Sequence, residues 1–220
     1  MQLHRATEYR DAFPHLPTYE QWLVRLHQLT ALVGALIQAA VRKHRMPGRF
    51  YILDSKPIPV RKPIRHGRVR LLRDEGACFG RNSVGGFFGF KLHALIHSSG
   101  VVLAIVLSPP NWSDRDVAVA LCASVQGATA LGDHGCRGRE LAQALAQEMQ
   151  MFLLTPGSAG DHKKKRALIS SVRERVETCF SSLWSRFIDR VFSRSWEGPR
   201  NTIKLKVLHI NFSQMRLLPT

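Results

Sequence analysis

Acidic residues are scarce in this chain of 220 residues, which holds 16 Asp and Glu against 32 Lys and Arg. The formal net charge is therefore +16 at pH 7. This imbalance predicts a partner rich in negative charge, and composition alone leaves DNA, RNA and an anionic membrane open. Hydrophobic residues make up 45% of the chain, which is enough apolar material for a folded core and excludes a disordered chain.

Cysteines and long hydrophobic runs are also few. The 4 cysteines are scattered without a Cys-x-x-Cys pair, so neither a zinc knuckle nor a disulfide framework is indicated. The longest apolar stretch, Ala31 to Val41, is too short to span a bilayer. The N-terminal region carries Glu8, Asp11 and Glu20 and lacks the apolar core of a secretory signal. We therefore expect a cytoplasmic protein without a membrane segment.

The basic residues concentrate in three runs. The first extends from Lys56 to Arg73 without an acid, the second is Lys163 to Arg166, and the third is spread from Arg186 to Arg216. Any one of these runs is explained equally well by an ordinary solvated surface. Three of them, with few acids between, favour a polyanion as the partner.

The spacing of apolar residues predicts an α/β chain. A helix is expected from Thr18, with apolar residues recurring to Val41 and Met46-Pro47-Gly48 ending it. Thr18 is its expected N-cap, and Gln21 completes a capping box. The β-prone run Arg49 to Leu53 predicts a strand that ends on Asp54, followed by an irregular, proline-containing basic loop. Later patterns predict, in order, a hairpin of Phe87–His97 and Val101–Leu107, a helix capped by Ser113, a strand over Thr129–Gly132, a helix over Arg139–Gln150, a buried strand over Met151–Leu154 and a helix over Lys165–Phe187. This order predicts a layered α/β fold with a mixed sheet.

Two of the few acids, Asp54 and Asp133, each follow an apolar run that reads as a strand. In α/β sheets the carboxyl ends of strands are where binding and catalytic sites are built. Asp is also common after strands as a turn or cap residue, because its side chain bonds nearby backbone groups. Both interpretations stay open at this point.

Five segments, in the same order along the chain, resemble the DDE transposases of bacterial insertion sequences. They are Ile52–Val60, Gly86–His93, Leu107–Asp116 with its ending Asn-Trp-Ser-Asp-Arg-Asp, Leu131–Gly135 and Arg173–Thr178. The resemblance extends roughly from Pro17 to Arg216, and it implies the acid triad of the family at Asp54, Asp133 and Glu177. It also implies a ribonuclease-H-like mixed sheet flanked by helices, with the aspartates on neighbouring strands and the glutamate on a helix.

The same resemblance implies an enzyme that cleaves insertion-sequence ends and joins the 3′-hydroxyl to target DNA. The triad is expected to be both catalytic and metal-binding, with two Mg²⁺ ions, for which Mn²⁺ substitutes, about 3.5–4 Å apart. The implied partners are the terminal inverted repeats and the target DNA, bound by a homodimer at the bacterial nucleoid. Two alternatives remain: a truncated or decayed copy that binds DNA without cutting it, and a ribonuclease-H-like nuclease.

Basic residues near the matching segments are the expected DNA contacts. They are Lys56, Arg61, Lys62, Arg65, Arg68, Lys91, His93 and Arg173. For Lys91 and His93 a half-buried strand position is an equal alternative, and the pair Arg173 and Glu177 is otherwise an ordinary ion pair on a helix surface. We expect residues 1–48 to be a helical N-terminal segment, the remainder of a longer region in relatives, and residues 49–216 to be the catalytic domain.

Overall fold

A mixed β-sheet organises the protein in this computed structural model, which describes residues 15, 17–43, 50–61, 69–82, 85–156, 178, 181 and 195–215. The strands are β1 (Phe50–Arg61), β2 (Cys78–Asn82), β3 (Gly85–His97), β4 (Val102–Ser108), β5 (Thr129–Leu131) and β6 (Phe152–Leu154). The α-helices are α1 (Tyr19–Gln28), α2 (Thr30–Lys43), α3 (Asp114–Cys122), α4 (Arg139–Met149) and α5 (Glu197–Gln214), and a short 3₁₀ helix covers His134–Cys136.

The long strand β3 lies near the middle of the sheet and is antiparallel to all three of its neighbours. It pairs with β1 on one side and with β2 and β4 on the other. On the far side of β1, the strands β5 and β6 follow in parallel orientation. This order, with helices against the sheet, confirms the predicted mixed α/β sheet flanked by helices.

Helices cover both faces of the sheet, and the alternation of strand side chains divides the core accordingly. On one face Ile52 of β1 belongs to a cluster with Val33 of α2 and Ile203 of α5. On the other face Leu53 packs with Leu121 of α3 and Leu145 of α4. The first helices are thus part of the same core as the sheet, while the expected domain division at residue 48 stays a prediction.

Several predicted elements are confirmed with small shifts of their ends. Thr18 caps α1 as expected, since its Oγ1 accepts a bond from the Gln21 amide at 3.3 Å while the Gln21 side chain accepts from the Thr18 amide at 3.1 Å. The β3–β4 hairpin, the helix after Ser113, the strand β5 and the helix α4 also form. Among the helices of the described ranges, none has the length and apolar character that a membrane crossing requires.

The predicted loop after Asp54 is wrong in its first part, because β1 continues to Arg61. Its prolines suggested a break, but Pro57 and Pro59 lie where β1 pairs with β3 alone. The ladder to β5 stops at Ile52, and within the described residues no strand takes over that side of β1. A proline costs no ladder hydrogen bond where its side of the strand has no partner.

The single helix predicted between Thr18 and Met46 is divided at Leu29 into α1 and α2. At the division the Thr30 hydroxyl donates to the Leu26 carbonyl at 3.1 Å, a local bond that competes with regular helix geometry. The strand β6 is shorter than predicted and is not buried throughout, since Phe152 is 66% exposed. The helix predicted over residues 165–187 lies outside the described residues.

The helix α5, which the sequence patterns did not predict, is tied to the sheet by one buried side chain. Asn211 accepts a hydrogen bond from the Val102 amide and donates one to the Val102 carbonyl, each at 2.8 Å. Asn211 is 0% exposed. Its amide therefore supplies both partners that Val102 needs at the start of β4.

Candidate metal centre

The first two predicted acids follow the end of the β1–β5 ladder. Ile52 of β1 pairs with Leu131 of β5 in parallel register, and Asp54 and Asp133 each come two residues later. Asp54 still belongs to β1, whereas Asp133 lies beyond the end of β5. The negative charge of Asp133 acts on the Asp54 carboxyl, but among the described residues the closest group of possible ligand atoms includes Asp133 and not Asp54.

Asp133 also caps the short helix that follows it. Its Oδ1 accepts hydrogen bonds from the amides of Gly135 at 2.8 Å and Cys136 at 3.3 Å. Asp133 can therefore cap this helix and also belong to the site, so its two interpretations are compatible. The cap fixes the direction of the Asp133 carboxylate at the end of β5.

Asp54 lies in the middle of β1, half-buried, with its Oδ1 accepting a bond from the Ser55 amide at 2.7 Å. Burial is the main cause that raises the pKa of the Asp54 carboxyl, and the negative charges of Asp133 and Asp114 raise it further. The Ser55 amide and Lys56 oppose this rise. A bound cation would favour the ionised carboxylates that otherwise repel one another.

Another carboxylate, that of Asp114 in the first turn of α3, meets Asp133 at this point. One ligand atom from each of Asp114, Asp133 and Cys136 lies within 4.8 Å of the others. On its other side, Asp114 Oδ1 is 3.0 Å from Lys91 Nζ and 3.0 Å from His93 Nδ1. Burial would raise the pKa of Asp114, but contacts with His93, Ser55 and Lys91 outweigh it and hold that pKa far below its ordinary value.

His93 has no surface to offer to DNA, because it is 1% exposed. Its Nε2 lies 2.8 Å from Ser108 Oγ, whose hydroxyl donates to the Pro109 carbonyl at 3.0 Å. Its Nδ1 contacts the carboxylate of Asp114. The prediction of a DNA contact for His93 is therefore wrong, and the half-buried alternative for the β3 positions describes His93 and the partly exposed Lys91 better.

The donor atoms at this site suit a hard divalent cation. Burial, with the nearby charges of Asp114 and Asp133, raises the pKa of the Cys136 thiol to about 12, so the thiol is neutral at pH 7. The donors that remain are carboxylate oxygens, which Mg²⁺ and Mn²⁺ prefer.

Glycine at position 135 leaves space in front of these oxygens. A Cβ at Gly135 would stand 2.9 Å from Asp114 Oδ2 and 3.1 Å from Asp133 Oδ1. Both carboxylate oxygens thus approach Gly135 closely, and a side chain at this position would press against them. The residues present fit a divalent cation.

The remaining predicted residues are distributed unevenly. Lys56 is half-buried on the same face of β1 as Asp54, two positions along the strand, and its charge helps to hold the Asp54 carboxylate ionised. The backbone of Arg61 ends β1, but its side chain is outside the described set. The other predicted positions lie outside the described residues; they are Glu177, Arg173, Lys62, Arg65 and Arg68.

The Transposase DDE domain family matches residues 45–187, which is more than half of the chain. The chain belongs to this family. Among solved structures, the DDE domain is similar to a Mos1 transposase paired-end complex with left transposon end, at 15% identity and a TM-score of 0.30 over 91% of this chain and 64% of that one. A pre-cleavage Mos1 transpososome is similar at 14% identity, a TM-score of 0.30 and the same coverage. The chain thus spans 64% of the length of these solved transposases, and no curated protein matches it.

Asp114 of this DDE domain was the residue missed by sequence reasoning. An acid in the first turn of a helix is explained locally by the helix dipole, and nothing nearby in the chain indicates a second role. Its partners Lys91 and His93 are on β3, and Asp133 follows β5. The available signal was the segment Leu107–Asp116, which resembles the family and contains Asp114.

Proposed function

We propose that this chain is a transposase that cleaves the ends of a DNA element and joins the resulting 3′-hydroxyl to target DNA. The observation that supports the proposal is that Asp54 and Asp133 each come two residues after a paired position of two parallel strands, in a member of the Transposase DDE domain family. Glu177 is the proposed third acid, on the strength of the family resemblance.

Divalent cations, when held by Asp54, Asp133 and Glu177, supply activation of the attacking hydroxyl and stabilisation of the departing oxygen at phosphorus. The protein supplies the carboxylates at fixed positions. Asp133 is oriented by the amides of Gly135 and Cys136, and Asp54 by the amide of Ser55. We propose Mg²⁺ as the physiological ion, with Mn²⁺ as a substitute, because all three proposed ligands are oxygen donors.

DNA is the proposed partner, and the net charge of +16 supports it. Lys56 lies on the same face as Asp54, and Arg115 is exposed in the first turn of α3. Cationic side chains around a phosphate-processing site give salt-dependent, largely sequence-independent affinity. The other proposed contributors to the same surface are Lys91, Arg61, Lys62, Arg65, Arg68 and Arg173. Two copies holding two element ends are proposed as the active assembly.

The test is a strand-cleavage and strand-transfer assay with the full chain, duplexes that carry the terminal repeats flanking the gene, and Mg²⁺ or Mn²⁺. Asp54→Asn, Asp133→Asn and Glu177→Gln are each expected to reduce cleavage at least about 10³-fold, because each removes a charged ligand. Asp116→Asn is the matched control, since it removes one acid from the exposed side of α3 and is expected to leave cleavage intact.

Cleavage that persists in Asp133→Asn, or that continues in excess EDTA, would contradict the proposal. DNA binding without cleavage by the parent chain under both cations would favour the non-catalytic alternative. The binding arm also reports on the surface: a fall in affinity with rising salt is expected, with a slope that lessens when Lys56 is replaced by Gln.

A further inference from the structure

The two oxygens of Asp114 have different surroundings. Oδ1 is 3.0 Å from both Lys91 Nζ and His93 Nδ1. Oδ2 instead lies 2.9 Å from the point where a Cβ of Gly135 would stand, beside Asp133 Oδ1. One oxygen of Asp114 is therefore anchored by cationic and N–H groups, while the other is turned toward the oxygen of a second acid.

The anchor itself is rigid. Lys91 and His93 are two positions apart on β3, so their side chains lie on the same face of the strand. The strand is paired on both sides at these positions. His93 is buried and is held from behind by Ser108 Oγ at 2.8 Å. Carboxylates that bind metals are commonly held in this way by contacts to the oxygen or edge that the metal does not use.

Charge balance points in the same direction. Two carboxylates within 4.8 Å of each other repel unless positive charge is near. Lys91 supplies positive charge to Asp114 on the side of Oδ1. The negative charge of Asp133 is then to be neutralised by a cation on the side of Oδ2. Asp114 Oδ2 and Asp133 Oδ1 both lie close to Gly135, on the side of Asp114 that Lys91 does not contact.

We propose that Asp114 is a further ligand, through Oδ2, of the divalent cation that Asp133 holds, and that Lys91 and His93 are positioning residues for it. This inference rests on the proposed function, since it concerns the same metal centre. It adds one more acid to the three that were predicted. Asp114 lies at the N-terminal end of α3, outside the three segments that contain Asp54, Asp133 and Glu177.

Asp116, in the same helical turn, provides a contrast. It is exposed, and its Oδ2 accepts a bond from the Ser113 amide at 2.6 Å. That contact is the ordinary role of an acid in the first turn. Asp114 makes its contacts with β1, β3 and the helix after β5 instead, so a role in capping does not explain its position.

The experiment measures binding of Mn²⁺ alone to the full chain, by electron paramagnetic resonance or calorimetry, without DNA. Asp114→Asn is expected to weaken Mn²⁺ binding about 10- to 100-fold. Asp116→Asn, which removes the same charge from the same turn, is expected to bind as the parent does. Thermal unfolding of each variant establishes that it is folded.

A second pair of variants keeps every charge. Gly135→Ala places a methyl group against the oxygens of Asp114 and Asp133 and is expected to weaken Mn²⁺ binding by a similar factor. Gly138→Ala is its control, because a Cβ there meets only the Arg115 side chain, at 3.4 Å. Should Asp114→Asn fail to fold, this pair decides the question.

Parent-like Mn²⁺ affinity in a folded Asp114→Asn variant, or in Gly135→Ala when Asp114→Asn does not fold, overturns the inference. Asp133→Asn separates this failure from failure of the proposed function. If Asp133→Asn loses Mn²⁺ and Asp114→Asn retains it, the metal centre stands and Asp114 is not its ligand. If Asp133→Asn binds Mn²⁺ as the parent does, the proposed metal centre fails, and the inference fails with it.

Discussion

Asp114 and Asp133 place ligand atoms within 4.8 Å of each other, although one begins a helix and the other follows a strand. The charge of Asp114 is balanced on its far side by Lys91. The arrangement joins two layers of the protein, since α3 contributes to it from the helices and β3 and the end of β5 contribute from the sheet. Substitutions of the residues that contact Asp114 Oδ1 should therefore change the free energy of unfolding and its dependence on pH.

Replacing Lys91 by Met should destabilise the protein by about 1–2 kcal/mol at pH 7, because Asp114 loses a charged partner at a half-buried position. The pKa of Asp114 is lower in the folded than in the unfolded protein, so its contribution is complete above the unfolded value of about 3.9 and is lost as pH falls below it. The stability gap between parent and variant should therefore narrow below about pH 4. Urea unfolding across this pH range measures it, with the exposed Arg42→Met as control.

Replacing His93 by Ala should cost more, about 2–4 kcal/mol, because a buried ring is removed and both Ser108 and Asp114 lose one of their contacts. Ser108→Ala removes only the partner of Nε2 and should cost about 1 kcal/mol. The two losses should not add in the double variant, since the residues share one contact. Additive losses in urea unfolding would show that the His93–Ser108 contact contributes nothing.

Gly89→Ala should destabilise the protein by about 3 kcal/mol or more, because a Cβ there would collide with the backbone carbonyl of Ile58 on the paired strand. Gly34 is the matched control. It lies in α2 with nothing within 4 Å of an added Cβ, so Gly34→Ala should stabilise the helix by about 0.5–1 kcal/mol. Thermal unfolding midpoints that move in opposite directions are the expected result.

Asn211→Leu should lower the free energy of unfolding by about 2–4 kcal/mol, because the amide and carbonyl of Val102 both lose their buried partner. Ser213→Ala, at an exposed position of the same helix, should change it little. Faster hydrogen exchange at the Val102 amide, measured by NMR, would locate the loss at the start of β4. Protection of that amide in Asn211→Leu would contradict the expectation.

Much of the fold was predictable because its signals are local. The Thr18 capping box, the β3–β4 hairpin and the helix after Ser113 follow from short patterns of residues. Asp54 and Asp133 were identified from the runs before them and from family resemblance, and each comes two residues after a pair of the parallel β1–β5 ladder.

The rest depends on contacts between distant segments. Pro57 does not end β1 because, among the described residues, no strand pairs with β1 on the side opposite β3 at this position. The sequence alone does not show which strands will be neighbours. The role of Asp114 depends on Lys91 and His93, which reach it only after β3 and α3 have packed. The amphipathic pattern of α5 is weakened by Asn211, whose polar group is buried to bind Val102.

The prolines of β1 have a consequence for how this protein behaves among its own copies. Beyond Ile52, one side of β1 has no partner strand among the described residues, and an unpaired strand edge is a template for aggregation with another chain. Pro57 and Pro59 remove two amide donors from this stretch, while Asp54 and Lys56 place charges on it. These residues therefore oppose the pairing of a foreign strand with this edge, which lies next to the proposed metal centre.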